Sequence, residues 1–432
     1  MLRYSLFCLV LLIGLFGRGQ EVMTLDQAIA AAVEGNHDLK IARNTTALAD
    51  LDAGLLNSGY LPTLSATAGV SYSDENQNVT FADGSATEIE GAVTESYNAS
   101  ITAEYVLFDG LVRKFTYDSN RGTLTLRQLQ ERQQVENTII AVYEQYFNVA
   151  YQQQLVENLA LNLENSLDRL DRAKKRLKYG QGTYLDELNA QVDLNSDSIT
   201  YVEATKNLST LKRNLNLLLG REQQQLFHVD TTLTFNPMPD ELLVLERTKT
   251  NNITMVLAEQ QLLLSELDIK INKARFLPKI SGSGSYRWNE SQNPPTSFAL
   301  NNEAHGINLG LNLSWNIFSG SSKTQTKKAR INARNREIEL KQAEDEVLTE
   351  AMNAYGEYDL AQFRFKAEKK NLETNQLNFK RSQKQYLLGQ ITAVEFRQAQ
   401  INLYNVLNSL ARAKYDLKIA EISLQQLMGA LL

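Results

Sequence analysis

The sequence predicts a mainly α-helical chain, duplicated in tandem, with a small β part of four membrane-crossing strands. Three observations carry this. Landmarks of the first half recur about 210 residues later. Two long proline-free stretches repeat apolar residues every three or four positions, and four runs of about ten residues alternate strictly between apolar and polar. Gly180 and Gly220 return as Gly389 and Gly429 at an offset of 209, and Phe108 returns as Phe318 at 210. Upstream, Asn36 and Leu61-Pro62 return as Asn252 and Leu277-Pro278 at 216, so the first copy is expected to hold a longer loop between Pro62 and Phe108.

In chain order, residues 1–20 read as a secretory signal peptide: one early basic residue, Arg3, an apolar run from Leu6 to Phe16, and small or polar residues before Glu21. The one cysteine, Cys8, lies inside that run, so a mature chain is expected to carry no disulfide. The first structural repeat is assigned to residues 21–220, a linker to 221–240, and the second repeat to 241–432. Thr24 and Gln27 have capping-box spacing, opening a helix that breaks near Gly35 and resumes to about Ser58. Its counterpart runs from Glu241 to Arg275.

The strands follow. Leu64, Ala66, Ala68, Val70 and Tyr72 alternate with Ser and Thr, and the pattern recurs over Tyr97–Tyr105, Ile280–Trp288 and Ile307–Asn316. About ten residues suffice to cross a bilayer at a tilt, with apolar side chains toward lipid and polar ones toward a lumen.

Residues 121–179 then read as one helix roughly 88 Å long at about 1.5 Å per residue. After Gly180-Gln181-Gly182 a second helix begins, and Leu185, Leu188, Val192, Ile199 and Val202 read as the apolar seam of an antiparallel coiled-coil hairpin, with one polar insertion at Asn195. The second copy repeats this over 328–388 and 393–427. Residues 221–240, ending in Asn236-Pro237-Met238-Pro239, read as a polar connector.

Four strands cannot close a cylinder, and an open edge in lipid leaves backbone groups unpaired, so the barrel must be shared between chains. The formal charge of −6 becomes −8 when Arg3 and Arg18 leave with the leader, and no basic run exists to recruit nucleic acid. His37, His228 and His305 stand in unrelated contexts, with no phosphate loop and no metal-ligand spacing, so no enzymatic activity, cofactor or metal is expected.

Over essentially all of the chain after the leader, the sequence resembles the TolC-like outer-membrane efflux proteins. The opening TLDQAIAAAVEGNHDLKIA is similar to the family's start, with His37 where proline is usual. Both hairpin tips resemble its glycine tip motif, through Gly180, Asp186, Leu188 and Ala190 and through Gly389, Glu395 and Ala399. The resemblance implies a homotrimer with a 12-stranded β-barrel in the outer membrane of a Gram-negative bacterium, continued by a periplasmic α-helical barrel. It implies an exit duct for efflux or type I secretion, docking onto a periplasmic adaptor and an inner-membrane transporter. It places a periplasmic gate at Asp186, Tyr386, Glu395 and Gln398, with Tyr386 bonding to Asp186. Relatives often add an arginine where this chain has Ile391. Adaptor contact falls to Arg176, Gly180, Gln181, Gly182, Gly389 and Gln390. The alternative is an exported coiled-coil structural or adhesive protein without channel activity, which would need an uninterrupted apolar helical seam.

Overall fold

A computed structural model describes residues 21–431 apart from 238, 295, 296 and 298; the leader lies outside the described residues. The elements are β1 (Glu21–Met23), α1 (Leu25–Gly35), α2 (His37–Ala53), β2 (Thr63–Thr80), β3 (Ala86–Phe108), α3 (Val112–Lys178), α4 (Tyr184–Leu218), β4 (Phe227–Val229), α5 (Glu241–Asn251), α6 (Ile253–Ala274), β5 (Lys279–Gln292), β6 (Asn301–Ser314), α7 (Gly320–Leu387) and α8 (Ala393–Leu427). Among the described residues no helix is long and apolar enough to cross a membrane.

The described residues fold as two compact units, each taking matching pieces of both copies: those within 21–44, 128–257 and 341–431 form one, and those within 45–127 and 258–340 the other.

The first unit holds two cores related by the duplication. Ala28, Val142, Val149, Leu215 and Leu219 pack in one, and Val244, Ala351, Tyr358, Leu424 and Met428, their counterparts, pack in the other. The helix breaks are copied as well. Asn36 accepts from the Asp38 and Leu39 amides, capping α2, and donates to the Leu218 carbonyl at 2.9 Å. Asn252 accepts from the Thr254 amide and donates to the Leu427 carbonyl at 3.1 Å. The capping box at Thr24 and Gln27 forms as the spacing predicts.

Residues 221–240 are more than a polar connector. β4 pairs in parallel with β1, and Phe227 and Val229 are buried in the first core. The Tyr146 hydroxyl ties the pair together, donating toward the Met23 and Asp230 carbonyls at 2.8 and 3.0 Å. Lys414 and Lys418 of α8 then donate to the Thr231 and Thr234 carbonyls. A three-residue strand carries too few apolar positions to stand out from polar sequence.

The hairpins α3–α4 and α7–α8 are antiparallel, as expected, but the seam of the first has a different phase. Leu185, Leu188, Val192, Ile199 and Val202 are exposed. The line of α4 that meets α3 is Ala190, Asp197, Ala204 and Leu211. Small and polar residues let the backbones approach, and Gln145 and Gln152 donate across to the Leu211 and Ala204 carbonyls at 3.1 and 2.9 Å.

The second unit is built on one antiparallel sheet of order β2-β3-β5-β6. The strands are longer than the ten residues expected, at 18, 23, 14 and 14. The extra length of the first copy is strand rather than loop. Only residues 81–85 separate β2 from β3, whereas 293–300 separate β5 from β6, and the β2–β3 ribbon continues past the Glu95–Gln292 pair where β5 ends.

Candidate functional site

Two surfaces carry the chemistry, one in each unit. In the sheet, strand register converts the sequence alternation into two chemically uniform faces. Ala66, Ile101, Tyr286 and Ile307 lie in one row across the four strands, and Leu64, Ala103, Gly284 and Leu309 in another. The opposite face carries the rows Ser65, Thr102, Ser285, Asn308 and Thr67, Ser100, Arg287, Gly306. On that face the Thr67 and Ser100 hydroxyls are hydrogen-bonded at 2.9 Å. The apolar face is bare, with Leu309 83% and Leu311 79% exposed, and the outer edges of β2 and β6 have no partner strand among the described residues. An exposed apolar surface of this kind suits lipid.

In the first unit the hairpin tips are near copies of each other. Helix α3 ends in a Schellman motif, the Gly180 amide donating to the Leu177 carbonyl and the Gln181 amide to the Arg176 carbonyl. Helix α7 ends the same way, from Gly389 to Tyr386 and from Gln390 to Gln385. Both glycines have φ near +70°, the left-handed conformation the motif requires. The next helices open with capping boxes. Thr183 pairs reciprocally with Asp186, and Thr392 with Glu395. Asp186 and Glu395 are therefore structural equivalents, each turned back onto its own cap.

Those bonds hold both carboxyls below their ordinary pKa. For Asp186 the Thr183 amide leads, followed by the Thr183 hydroxyl; for Glu395 the Thr392 amide and hydroxyl act alike. A depressed folded pKa gives stability that is present above the unfolded value and lost as pH falls through the folded one. The tip helices should thus fray only below about pH 4. Thr183→Ala should cost about 1 kcal/mol of local stability at neutral pH. Hydrogen exchange of the first turn of α4 measures both, and protection unchanged by Thr183→Ala would remove the box as the cause.

The structure does not bring Tyr386 and Asp186 together. The Tyr386 ring lies flat on Phe396, with centroids 4.9 Å apart and planes 5° from parallel, and Phe396 stacks in turn on Phe379. Among the described residues no hydrogen bond joins Tyr386 to Asp186, whose Oδ2 instead accepts from the Thr183 amide and hydroxyl. Gln398 donates to Asn402, one turn on. Gly182 packs against the Arg176 side chain, and Arg176 helps hold the Asp186 pKa down. Gly180 and Gly389 face open space.

Sequence reasoning missed a buried polar cluster farther up the hairpins. Arg169 Nη2 lies 2.8 Å from Asp193 Oδ2, and Arg397 Nη2 lies 2.7 Å from Asp197 Oδ1. Ser166 donates to Asp197 at 2.5 Å, and Gln400 donates to Asn162 at 3.0 Å. Beside them is a groove of about 500 Å³ lined by Asn162, Asp197, Arg397, Tyr404 and Asn408 among others. The signal was present as a heptad step of seven from Ala190 to Asp197 to Ala204, but buried charges in a helix read as a solvated face.

Long two-helix hairpins with copied tips, joined in one chain to strands with an apolar and a polar face, define a subunit of an outer-membrane channel. The chain belongs to the outer membrane efflux protein family, whose model matches residues 28–221 and 244–430. It is an exit duct of the outer membrane. It is similar to outer membrane protein TolC of Escherichia coli, 23% identical over 387 residues that cover 87% of this chain and 76% of that one. It is also similar to the alkaline protease secretion protein AprF of Pseudomonas aeruginosa, 21% identical over 84% of this chain and 75% of that one. The Campylobacter jejuni CmeC outer membrane channel superposes with a TM-score of 0.79 at 15% identity, covering 94% of this chain and 86% of that structure.

Proposed function

We propose that three copies of this chain close a 12-stranded barrel and pass substrates outward from a periplasmic adaptor and an inner-membrane pump, in efflux or type I secretion. The observation that carries this reading is the sheet with one apolar face and two open edges. Standing alone in lipid it would leave the outer backbone groups of β2 and β6 unpaired, at several kcal/mol each, whereas β6 of one copy beside β2 of the next satisfies them. The exposed stripe Leu185, Leu188, Val192, Ile199 and Val202 on α4 supports the same conclusion for the helices, since a second copy would cover it. The broken apolar seam of the α3–α4 hairpin argues against an adhesive coiled coil.

The tips are the gate and the docking surface in this reading. Arg176, Gly180, Gln181, Gly182, Gly389 and Gln390 offer open backbone and one cation to the adaptor. Asp186, Tyr386, Glu395 and Gln398 ring the constriction. Stacking on Phe396 fixes Tyr386, so the Asp186–Tyr386 bond would require the tips to shift relative to this structure. Cargo selection is left to the pump and adaptor.

Light scattering of the detergent-purified protein together with planar-bilayer conductance tests this. A trimer forming pores is expected, and a water-soluble monomer without conductance would end the reading. In the same assay, Tyr386→Phe with Asp186→Ala should raise single-channel conductance by about twofold if the pair narrows the opening. Unchanged conductance takes the pair out of the gate.

A further inference from the structure

Because the chain holds two copies of one unit, a polar side chain that the architecture requires is expected in both. Three side chains around the second core break that rule. Glu421 on α8 stands where the first copy has Lys212, Tyr358 on α7 where it has Val149, and Arg247 on α5 where it has Ala31. The first copy shows that the core closes without them. There Val149 is fully buried, Ala31 packs against the same cluster, and Lys212 lies over the ring of Phe227, 5.6 Å from its centroid.

In the second copy the three line one cavity of about 230 Å³, together with Asn236 of the connector and Leu424 and Met428 near the end of α8. That is room for about seven water molecules at about 30 Å³ each, the size of a free amino acid. Glu421 is 5% exposed, and its two oxygens differ in their surroundings. Oε1 accepts from the Asn236 side-chain amide at 2.8 Å and from Lys418 at 2.9 Å, which anchors the connector. Oε2 is buried with no hydrogen-bond partner among the described residues. Tyr358 is 2% exposed, and its hydroxyl likewise makes no bond among the described residues. Burial and then the charge of Glu421 raise its pKa, so the hydroxyl keeps its proton. Arg247 is exposed at the rim, and its guanidinium has no ion-pair partner among the described residues. Anchoring the connector accounts for Oε1. It leaves an acceptor, a hydroxyl and a cation around one hollow without a structural task, and an unmet buried carboxylate oxygen is costly.

We propose that this cavity is a binding site for a small zwitterion, an α-amino acid with a short apolar side chain. Charge balance selects the class. Lys418 already offsets Glu421, so a bare organic cation would add to Lys418 and Arg247, and a bare anion would face the free oxygen of Glu421. A zwitterion meets both ends: its ammonium donates to Glu421 Oε2, its carboxylate accepts from Arg247, and the Leu424 and Met428 walls take its side chain. Tyr358 adds a donor for the carboxylate. The occupant joins α5, α7, α8 and the connector, which all border the cavity.

Binding is scored without conductance, so loss of the duct reading leaves this site to stand or fall by itself. The full-length protein in detergent is titrated calorimetrically with L-leucine and with the two halves of that molecule, 3-methylbutylamine and 4-methylpentanoate. Leucine is expected to bind in the millimolar range or more tightly, and each half at least about tenfold more weakly. Glu421→Gln and Arg247→Met should each weaken leucine by about tenfold or more, and Tyr358→Phe by about fivefold. The Arg247 guanidinium and the Tyr358 hydroxyl hold nothing else in the fold, so those two variants carry the test should Glu421→Gln not fold. Lys249→Met, which removes an exposed cation paired with Glu344 on the same helix as Arg247, should leave binding unchanged. Absence of leucine binding overturns the site, as does a half-molecule that binds as well as leucine. Leucine binding that survives both Glu421→Gln and Arg247→Met overturns it too, since the amino acid would then sit elsewhere.

Discussion

Leu309→Arg is expected to abolish assembly of the channel in the outer membrane, while Asn308→Arg, its neighbour on β6, is expected to assemble. Leu309 lies near the middle of β6, opposite Gly284, on the face formed by Leu64, Ala103 and Leu309. A guanidinium on the lipid face near mid-bilayer costs about 2–4 kcal/mol per chain, and three chains sharing one barrel triple the loss. Asn308 lies one residue away in the row with Ser65, Thr102 and Ser285, where water solvates a charge. Trimer yield in outer-membrane fractions reads the difference. Assembly of Leu309→Arg together with failure of Asn308→Arg would invert the assignment of the two faces and with it the barrel.

The second large effect concerns glycine. Gly220 has φ +67°, and a Cβ there would lie 2.2 Å from the Gly35 carbonyl oxygen and 2.5 Å from its carbon. Both are backbone atoms, so α1 and the end of α4 would have to move apart. Left-handed strain of about 1–2 kcal/mol adds to an overpacking cost of about 1–3 kcal/mol. Gly220→Ala should therefore lose about 2–5 kcal/mol, and Gly429→Ala, which meets the Asn251 carbonyl oxygen at 2.5 Å, should behave alike. Gly180→Ala has the same φ but open space around it, and should lose only the strain. Urea unfolding followed by circular dichroism ranks the three. Equal losses at Gly180 and Gly220 would mean that the close approach of α1 carries no energetic weight.

The first prediction uses features that were legible in the sequence, whereas the second needs the approach of Gly35 to Gly220, which only the fold supplies. Alternation with a period of two identified the strands and their faces, because side chains on a pleated strand must point to opposite sides whatever the neighbours are. The spacing of Gly180 with Asp186 and of Gly389 with Glu395 marked the tips, because a helix that stops and restarts needs a left-handed residue and a cap. Period alone did not fix phase. The seven-residue step along α4 is present, but the contact line is Ala190, Asp197 and Ala204 rather than the Leu and Val stripe, because the strongest apolar stripe faces away from the hairpin partner.

By itself, then, the sequence determined what depends on neighbours along the chain: the duplication, the helix starts and stops, the two faces of each strand and the family. The tertiary structure decided what depends on residues far apart. It buried Phe227 against Met23, seated Asn36 and Asn252 on helix ends at Leu218 and Leu427, and brought Arg397 to Asp197 across 200 positions. An arginine on a helix reads as solvated until a partner from another hairpin removes its water. That desolvation is a property of packing, which local spacing does not contain.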